Sequence, residues 1–266
     1  MSTHVLLFTP GVDSFISNTI LTNKIRSPDI LIRLYFDIEG YYTKFEKKFL
    51  DNIYYSQSGY VTINDTISLG SIEHSNLHIP NRNVLLVTMA QSIYNADFIY
   101  LNGVKDDVVS DNNSIFYHKM SELLTITSGK HVVCDSILKD KEKVDWLKEF
   151  KNDENKHILS TDTFSCFEPN GNIFSNNITD VYHIDEHNHF RKINSLNFPG
   201  CMKCSACFRK VCALTGANIF IPFKNPAMVN KYHSRLNNAE FVNKFPSRSK
   251  SISQFKTFLN WVSTRG

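Results

Sequence analysis

The sequence predicts an α/β fold: a doubly wound, mostly parallel sheet joined to a cysteine-bearing C-terminal α/loop region. Three observations carry that expectation. Short β-rich runs alternate with stretches of helical period through the first half of the chain. The alternation stops near residue 150, where Asn, Asp, Ser and Thr take over. A compact cluster of Cys201, Cys204 and Cys207 follows.

The elements are read in order. Residues 5–8 (VLLF) are four consecutive apolar positions before a Pro-Gly turn, the pattern of a strand buried on both faces. Residues 13–24 have helical spacing, and 30–36 (ILIRLYF) form a second strand. Residues 42–55 place apolar side chains at i, i+3 and i+4, which predicts a helix, and 60–63 a third short strand. Residues 83–94 read as helix, 97–104 as strand, 114–126 as helix, 131–134 as a short strand and 141–150 as a charged amphipathic helix. Strands alternating with helices require a parallel sheet covered on both faces, with ligands beyond the carboxyl ends of its strands. The first domain is expected to span 1–155 and the second 156–266. Within the second, 179–193 alternate around Asp185-Glu186-His187-Asn188 as a hairpin. Residues 239–266 read as one or two basic amphipathic helices interrupted by Pro246, with Phe255, Phe258, Leu259 and Trp261 turned inward.

Composition bounds the function. Of 266 residues, 42% are hydrophobic and 12% aromatic, too apolar for a disordered chain. A chain this long buries roughly 70–75% of its unfolded surface and needs no metal merely to fold. The net charge of +3, from 29 Lys+Arg against 26 Asp+Glu, is too mild for a dedicated nucleic-acid binder. No apolar run reaches the ~18–20 residues that span a bilayer. The N-terminus lacks the basic region and cleavage site of a secretory signal. A cytoplasmic protein without membrane partners is expected, and its six cysteines are then thiols or metal ligands rather than disulfides.

Two segments carry chemistry. Thr9-Pro10-Gly11-Val12-Asp13-Ser14 lies between the first strand and the first helix. Unpaired N–H groups and the helix dipole favour an anion there, and Gly11 allows close backbone approach. Ser14 could donate to a phosphate oxygen, and Asp13 could hold Mg²⁺. The plainer reading is a turn in which Asp13 caps the helix. No GK[ST] is present, so this is not a Walker A loop. The second segment is Cys201-Met202-Lys203-Cys204-Ser205-Ala206-Cys207, three thiols at knuckle spacing, with Cys166 upstream as a fourth. Four cysteines make a closed tetrahedral zinc site that staples rather than catalyses, an iron–sulfur cluster being the competing occupant. Zinc is expected here to stand in for a core that the C-terminal third does not supply. Lys203, Arg209 and Lys210 would offset thiolate charge. Cys212 competes for the fourth place at a less natural spacing, and Cys134 reads as a buried small hydrophobe. His183, His187 and His189 read as a solvated hairpin rather than a second metal set.

Together these segments resemble the 7-cyano-7-deazaguanine synthases (the QueC family), a branch of the PP-loop ATP pyrophosphatases. Thr9-Pro10-Gly11-Val12-Asp13-Ser14 stands where the family has SGGxDS, and Phe36-Asp37-Ile38-Glu39-Gly40 where it has an FDYGQ-like segment. Ile79-Pro80-Asn81-Arg82-Asn83 matches VPxRN, and Gly103-Val104 with Asp106-Asp107 a GV-containing loop. Asp140-Lys141-Glu142-Lys143 echoes a DKxE start, and Thr163-Phe164-Ser165-Cys166 with the cysteine run matches the family's zinc segments. The resemblance covers roughly residues 5–215.

It implies a PP-loop nucleotide-binding domain, ATP and magnesium as cofactors, structural zinc on Cys166, Cys201, Cys204 and Cys207, and a homodimer. The implied reaction is adenylation of 7-carboxy-7-deazaguanine, then amidation by ammonia and dehydration to the nitrile. Asp13, Ser14 and Arg82 are the implied catalytic residues, and Phe8, Thr9, Gly11, Val12, Asp13, Ser14, Arg82 and Asn83 the nucleotide and substrate contacts. The sequence departs from the family at Thr9-Pro10-Gly11, where Pro10 removes one N–H donor, and at Ser110-Asp111-Asn112-Asn113, where an aspartate-and-cysteine segment is missing. Residues 168–200 are an insertion. These departures admit a divergent ligase that passes the carboxylate to a protein or other amine, in a setting such as antiviral defence, and a non-catalytic PP-loop binding module.

Overall fold

The computed structural model describes residues 1–40, 42–50, 61–65, 67–72, 79–107, 109–150, 163–168, 178–198, 200–223, 225–239, 243 and 245–265. The chain divides into two units, Met1–Glu142 and Lys143–Gly266. The expected boundary at 155/156 lies outside the described residues.

The first unit is an α/β fold. Its strands are β1 (Thr3–Leu7), β2 (Ile30–Phe36), β3 (Val61–Asn64), β4 (Phe98–Leu101) and β5 (Val133–Ser136). They form one sheet in the order β3-β2-β1-β4-β5, every pair parallel. Helices α1 (Val12–Lys24), α2 (Thr43–Phe49), α3 (Arg82–Tyr94) and α4 (Ser114–Ser128) flank it. The period-2 rule divides the side chains. Val5, Leu7, Leu34, Phe36, Ile99, Leu101 and Cys134 join Val87 and Ala90 of α3 and Tyr117, Met120 and Leu124 of α4 in one buried cluster. Phe15, Ile16 and Leu21 of α1 are buried outside that cluster, where α1 packs on β1 and β2. The chain winds outward from β1 to β3, then returns past β1 to lay down β4 and β5. The reversal falls between β1 and β4, the place where open parallel sheets of this kind bind their ligands.

The expected strand at 131–134 is found at Val133–Ser136. Its start is displaced because the Thr125 hydroxyl accepts from Val132 N at 3.1 Å and approaches Val132 O at 3.3 Å. The ladder therefore opens at Val133, whose N–H reaches Asp97 O at 2.9 Å. The helix expected over 42–55 is Thr43–Phe49 as far as the described residues reach.

The second unit holds α5 (Lys143–Phe150), the antiparallel hairpin β6 (Ile178–Ile184) and β7 (Phe190–Asn197), and helices α6 (Ser205–Gly216), α7 (Pro226–Leu236) and α8 (Pro246–Ser263). Residues 239 and 243 are helical ahead of the break and Pro246 opens α8, so the proline separates two helices as expected, because the first turn has no use for the N–H that proline lacks. Pro226 opens α7 in the same way. The unit has its own aromatic core: Phe208, Phe220, Phe223, Phe255 and Phe258 are all buried. Tyr182 and Phe190 of the hairpin meet Phe258 at ring-centroid distances of 5.2 and 5.0 Å. A cysteine cluster is thus not a substitute for a core. Arg248 lies over Phe245 and Arg265 over Trp261, while Lys250 is exposed; Lys244 is outside the described residues.

One ion pair closes the amino end of the first sheet. Asp97 accepts from Thr3 N at 2.8 Å and from Lys130 Nζ at 2.7 Å. The Lys130 hydrogen bond, then that from Thr3, holds the carboxyl below its ordinary range. A depressed carboxylate stabilises above its unfolded pKa and loses that contribution as pH falls through the folded value. Asp97→Asn should therefore lower unfolding free energy at neutral pH by about 1 kcal/mol. In urea titrations that gap should close as the pH is taken below about 3.9, the ordinary aspartate value.

Candidate functional site

The turn leaving β1 lies at the reversal. Phe8 is buried and donates its N–H to Leu34 O at 2.8 Å, so the ladder runs one residue past the strand. Pro10 is buried, Thr9 exposed, and Gly11 extended at φ −77°, ψ 160°. Gly11 is the residue at the cap of α1, and its carbonyl accepts from Phe15 N at 3.1 Å. Asp13 sits inside the first turn, where the helix dipole favours its carboxylate. The expectation that Asp13 caps the helix is corrected: the helix opens one residue earlier than its charge pattern suggests.

Ser14 is buried, and its Oγ accepts from Thr9 N at 3.1 Å and from Asn102 Nδ2 at 3.0 Å. Those two bonds occupy the hydroxyl's acceptor capacity, so in its 3.1 Å contact with Thr9 Oγ1 the serine is the donor. The Thr9 hydroxyl hydrogen is then what this exposed turn offers outward. Asn102 Nδ2 also donates to Leu7 O at 2.6 Å. Its Oδ1 is a buried acceptor with no hydrogen-bond partner among the described residues. Sequence reasoning missed Asn102; the available signal was a polar residue directly after an apolar strand and before Gly103-Val104.

Past β4 the loop is rigidly held. A Cβ on Gly103 would collide with the Tyr117 hydroxyl, so only glycine fits. That hydroxyl donates to Asn112 Oδ1 at 2.8 Å, and Asn112 Nδ2 donates to Asp107 Oδ2 at 3.2 Å. Ser136 Oγ donates to Gly103 O at 2.6 Å. Asn83 Nδ2 donates to Asp111 O at 2.9 Å, so Asn83 ties the start of α3 to this loop. Asn81 takes the left-handed conformation, φ 57°, to start that helix.

A third group stands at the end of β2. Asp37 is buried and pairs with Lys47 Nζ at 2.8 Å. Burial raises its pKa, but hydrogen bonds from Lys47, the Glu39 N–H and Thr43 outweigh this and hold the carboxyl below the usual range. Glu39 adopts φ 56°, and its carbonyl lies so close to Gly70 that no side chain fits there. Glu46 accepts from Tyr35 OH at 2.8 Å. Burial pushes Glu46 up to about 7 against the hydrogen bond from Tyr35 and the field of Arg82. Arg82 therefore faces Glu46 electrostatically, and its guanidinium makes no hydrogen bond or ion pair among the described residues. A 460 Å³ cavity opens here between Asp37, Glu39, Lys44, Lys47 and Lys48. Thr9, Gly11, Val12, Asp13 and Ser14 thus form one group, while Arg82 and Asn83 are placed by α3 toward the loops after β2 and β4.

The candidate metal centre belongs to the second unit. Cys166, Cys201, Cys204 and Cys207 are buried, with all four Sγ atoms within 4.8 Å of one another. A tetrahedral zinc with ~2.3 Å bonds needs sulfurs about 3.8 Å apart, and four thiolates are a soft donor set. The residues fit a metal such as zinc. Main-chain N–H groups wrap the sulfurs: Cys201 N to Cys166 Sγ and Cys204 N to Cys201 Sγ at 3.3 Å, Cys207 N to Cys204 Sγ at 3.5 Å. Met202 turns left-handed at φ 56°, and a Cβ on Gly200 would lie 2.8 Å from Cys207 Sγ. Four close thiols share protons. Hydrogen bonds with Cys166, then Cys201 and Cys207, draw Cys204 far down, while those with Cys166, Cys201 and Cys204 push Cys207 far up. Lys210 is buried, donates to Thr163 O and lies 4.9 Å from the Phe198 ring centroid; Arg209 covers Phe167.

Cys212 and Cys134 are buried outside the cluster, and desolvation raises the Cys134 thiol to about 12. His187 and His189 are exposed on the hairpin turn, where Asp185 Oδ1 accepts both their N–H groups at 2.9 Å. No helix among the described residues is long and apolar enough to cross a membrane. Comparison with protein-family models finds none that matches the chain, and comparison with curated proteins likewise finds no match.

Elemental analysis of the purified chain should find about one zinc per molecule. Cys204→Ser should lose it and unfold at lower denaturant; full metal retention in that variant would mean a different ligand set. Gly103→Ala should destabilise the first unit by about 1–3 kcal/mol, read from urea unfolding, by displacing Tyr117.

Proposed function

We propose that this chain is an ATP-dependent carbon–nitrogen ligase of the PP-loop type, resembling the 7-cyano-7-deazaguanine synthases. It would adenylate 7-carboxy-7-deazaguanine and convert the carboxylate, through the amide, to the nitrile with ammonia. The observation that carries the reading is the Thr9–Ser14 turn at the reversal of a parallel sheet, beside the unpartnered Asn102 Oδ1.

Attack of a carboxylate on the α-phosphate gathers negative charge on oxygens already charged, and pyrophosphate leaves. Oriented N–H groups and cations meet that demand without reorganising. The first turn of α1 presents main-chain N–H groups at the positive end of the helix dipole, and the Thr9 hydroxyl adds a donor. Asp13 would hold Mg²⁺, which supplies Lewis-acid charge to the phosphate oxygens. Arg82 would contact a phosphate or the substrate carboxylate, and Asn83 fixes the loop beneath it. Asn102 Oδ1, buried and without a partner among the described residues, would accept from an amino or ring N–H of a purine-like ligand. Zinc on the four cysteines has a structural part. The reading places the protein in the cytoplasm with a small-molecule substrate and no nucleic acid.

Pro10 favours a second reading. Its missing N–H takes one donor from the turn, a departure from the synthase pattern that admits a divergent ligase passing the activated carboxylate to a protein or other amine instead of ammonia.

Pyrophosphate release from ATP with 7-carboxy-7-deazaguanine tests both. Wild type should release it, and Asp13→Ala with Ser14→Ala should cut the rate at least about a hundredfold. Equal release by both, or by neither, removes the ligase readings, the latter leaving a binding module. Product mass then separates them: a free nitrile supports the synthase, a modified macromolecule the transferase-like ligase.

A further inference from the structure

Helix α4 buries Tyr117, Met120 and Leu124 and leaves large aliphatic side chains on its other side. Ile115 is 76% exposed, Ile126 79% and Leu123 47%. Single exposed aliphatics are ordinary on any surface. These differ because Ile115 and Ile126 stand at the two ends of one stripe. Ile115, Lys119, Glu122 and Ile126 recur at i, i+4, i+7 and i+11, which keeps them on one helix face. Lys119 and Glu122 are exposed at 68% and 49% and pair at 2.8 Å.

The stripe reads the same in reverse with its charges exchanged. A second copy laid antiparallel, about a twofold axis between Met120 and Ser121, sets each Ile115 opposite an Ile126 and each Lys119 opposite a Glu122. The isoleucines cover one another at both ends. At the centre every carboxylate meets its own lysine and that of the second copy. A parallel pairing would bring lysine to lysine and glutamate to glutamate, which is repulsive. Charge complementarity therefore selects both the partner and its direction, as an isologous contact requires.

We infer that the exposed face of α4 is the interface of a twofold dimer of this chain, with Ile115–Ile126 contacts flanking a central Lys119–Glu122 cluster. This assigns a surface and a pairing rather than only a dimeric state. It uses no residue of the nucleotide reading and stands whether or not that reading does. One helix pair buries less than the ~1,600 Å² of a standard interface, so the dimer is weak, with a dissociation constant on the order of micromolar.

Sedimentation velocity on the full chain over a concentration series tests it. Wild type should show a monomer–dimer equilibrium. Ile126→Lys, at an exposed position, should keep the far-ultraviolet circular dichroism and raise the dissociation constant at least about tenfold. Lys119→Glu should weaken the dimer as well, and Lys119→Glu with Glu122→Lys should restore it, because the exchanged stripe is again self-complementary. A wild type monomeric up to about 100 μM, far above the expected constant, overturns the inference. So does a dimer that neither single substitution weakens. A double variant no tighter than Lys119→Glu overturns the antiparallel pairing.

Discussion

The Asn102 side-chain amide donates to Leu7 O and to Ser14 Oγ, and through these two bonds the end of β4 shapes the turn that leaves β1. The neighbouring strands send their chains in opposite directions, so without such a tie nothing in the ladder would hold the two loops together. The amide's orientation is fixed, since both its hydrogens are used, and this is what leaves Oδ1 as an acceptor inside the protein. Its own position is fixed in turn. Gly103 lets the Tyr117 hydroxyl lie against the backbone, Ser136 holds the Gly103 carbonyl, and Asn83 ties the following loop to α3. Displacing any of these would move the amide, and the Thr9–Ser14 contact with it.

The second unit follows a different logic. Its stability comes from rings: Phe208 and Phe255 inside the helices, Phe258 meeting the hairpin residues Tyr182 and Phe190. The cysteines add a second tie to the segment around the buried Phe164. Cys166 is joined to the knuckle at the start of α6, where Lys210 and Phe198 close over the same segment through Thr163. A metal there fixes one loop against one helix end; it does not replace hydrophobic burial.

Where local pattern decided an element, the sequence was a good guide. The strand over Ile30–Phe36 was read to the residue, since its apolar run is bounded by turn formers on both sides. The four cysteines were legible because thiol spacing is a local signal, and the structure brings Cys166 beside the other three. What escaped were consequences of topology. Asn102 matters only because β4 lies beside β1, and Glu46 only because α2 folds its carboxyl onto Tyr35 and toward Arg82. The fifth strand starts later than its apolar run suggests because the Thr125 hydroxyl, on the helix just before it, meets both polar groups of Val132. The core of the second unit escapes a sequence reading because its phenylalanines are scattered over the hairpin, two helices and the segment that follows α6, with no single period to betray them.

The place of Phe255 and Phe258 near the end of the chain has a consequence for synthesis. All five strands of the first sheet have been made once Ser136 leaves the ribosome, so that unit can collapse while translation continues. The second unit has less freedom. Phe208 can meet Phe223 and Tyr232, and Phe220 can meet Phe190, before α8 is made, but the faces these rings turn to Phe255 and Phe258 stay uncovered until that helix is translated. The nascent second unit is therefore the part of this protein that most needs chaperone cover, and early capture of a metal by the knuckle would bring order to it before the last helix arrives.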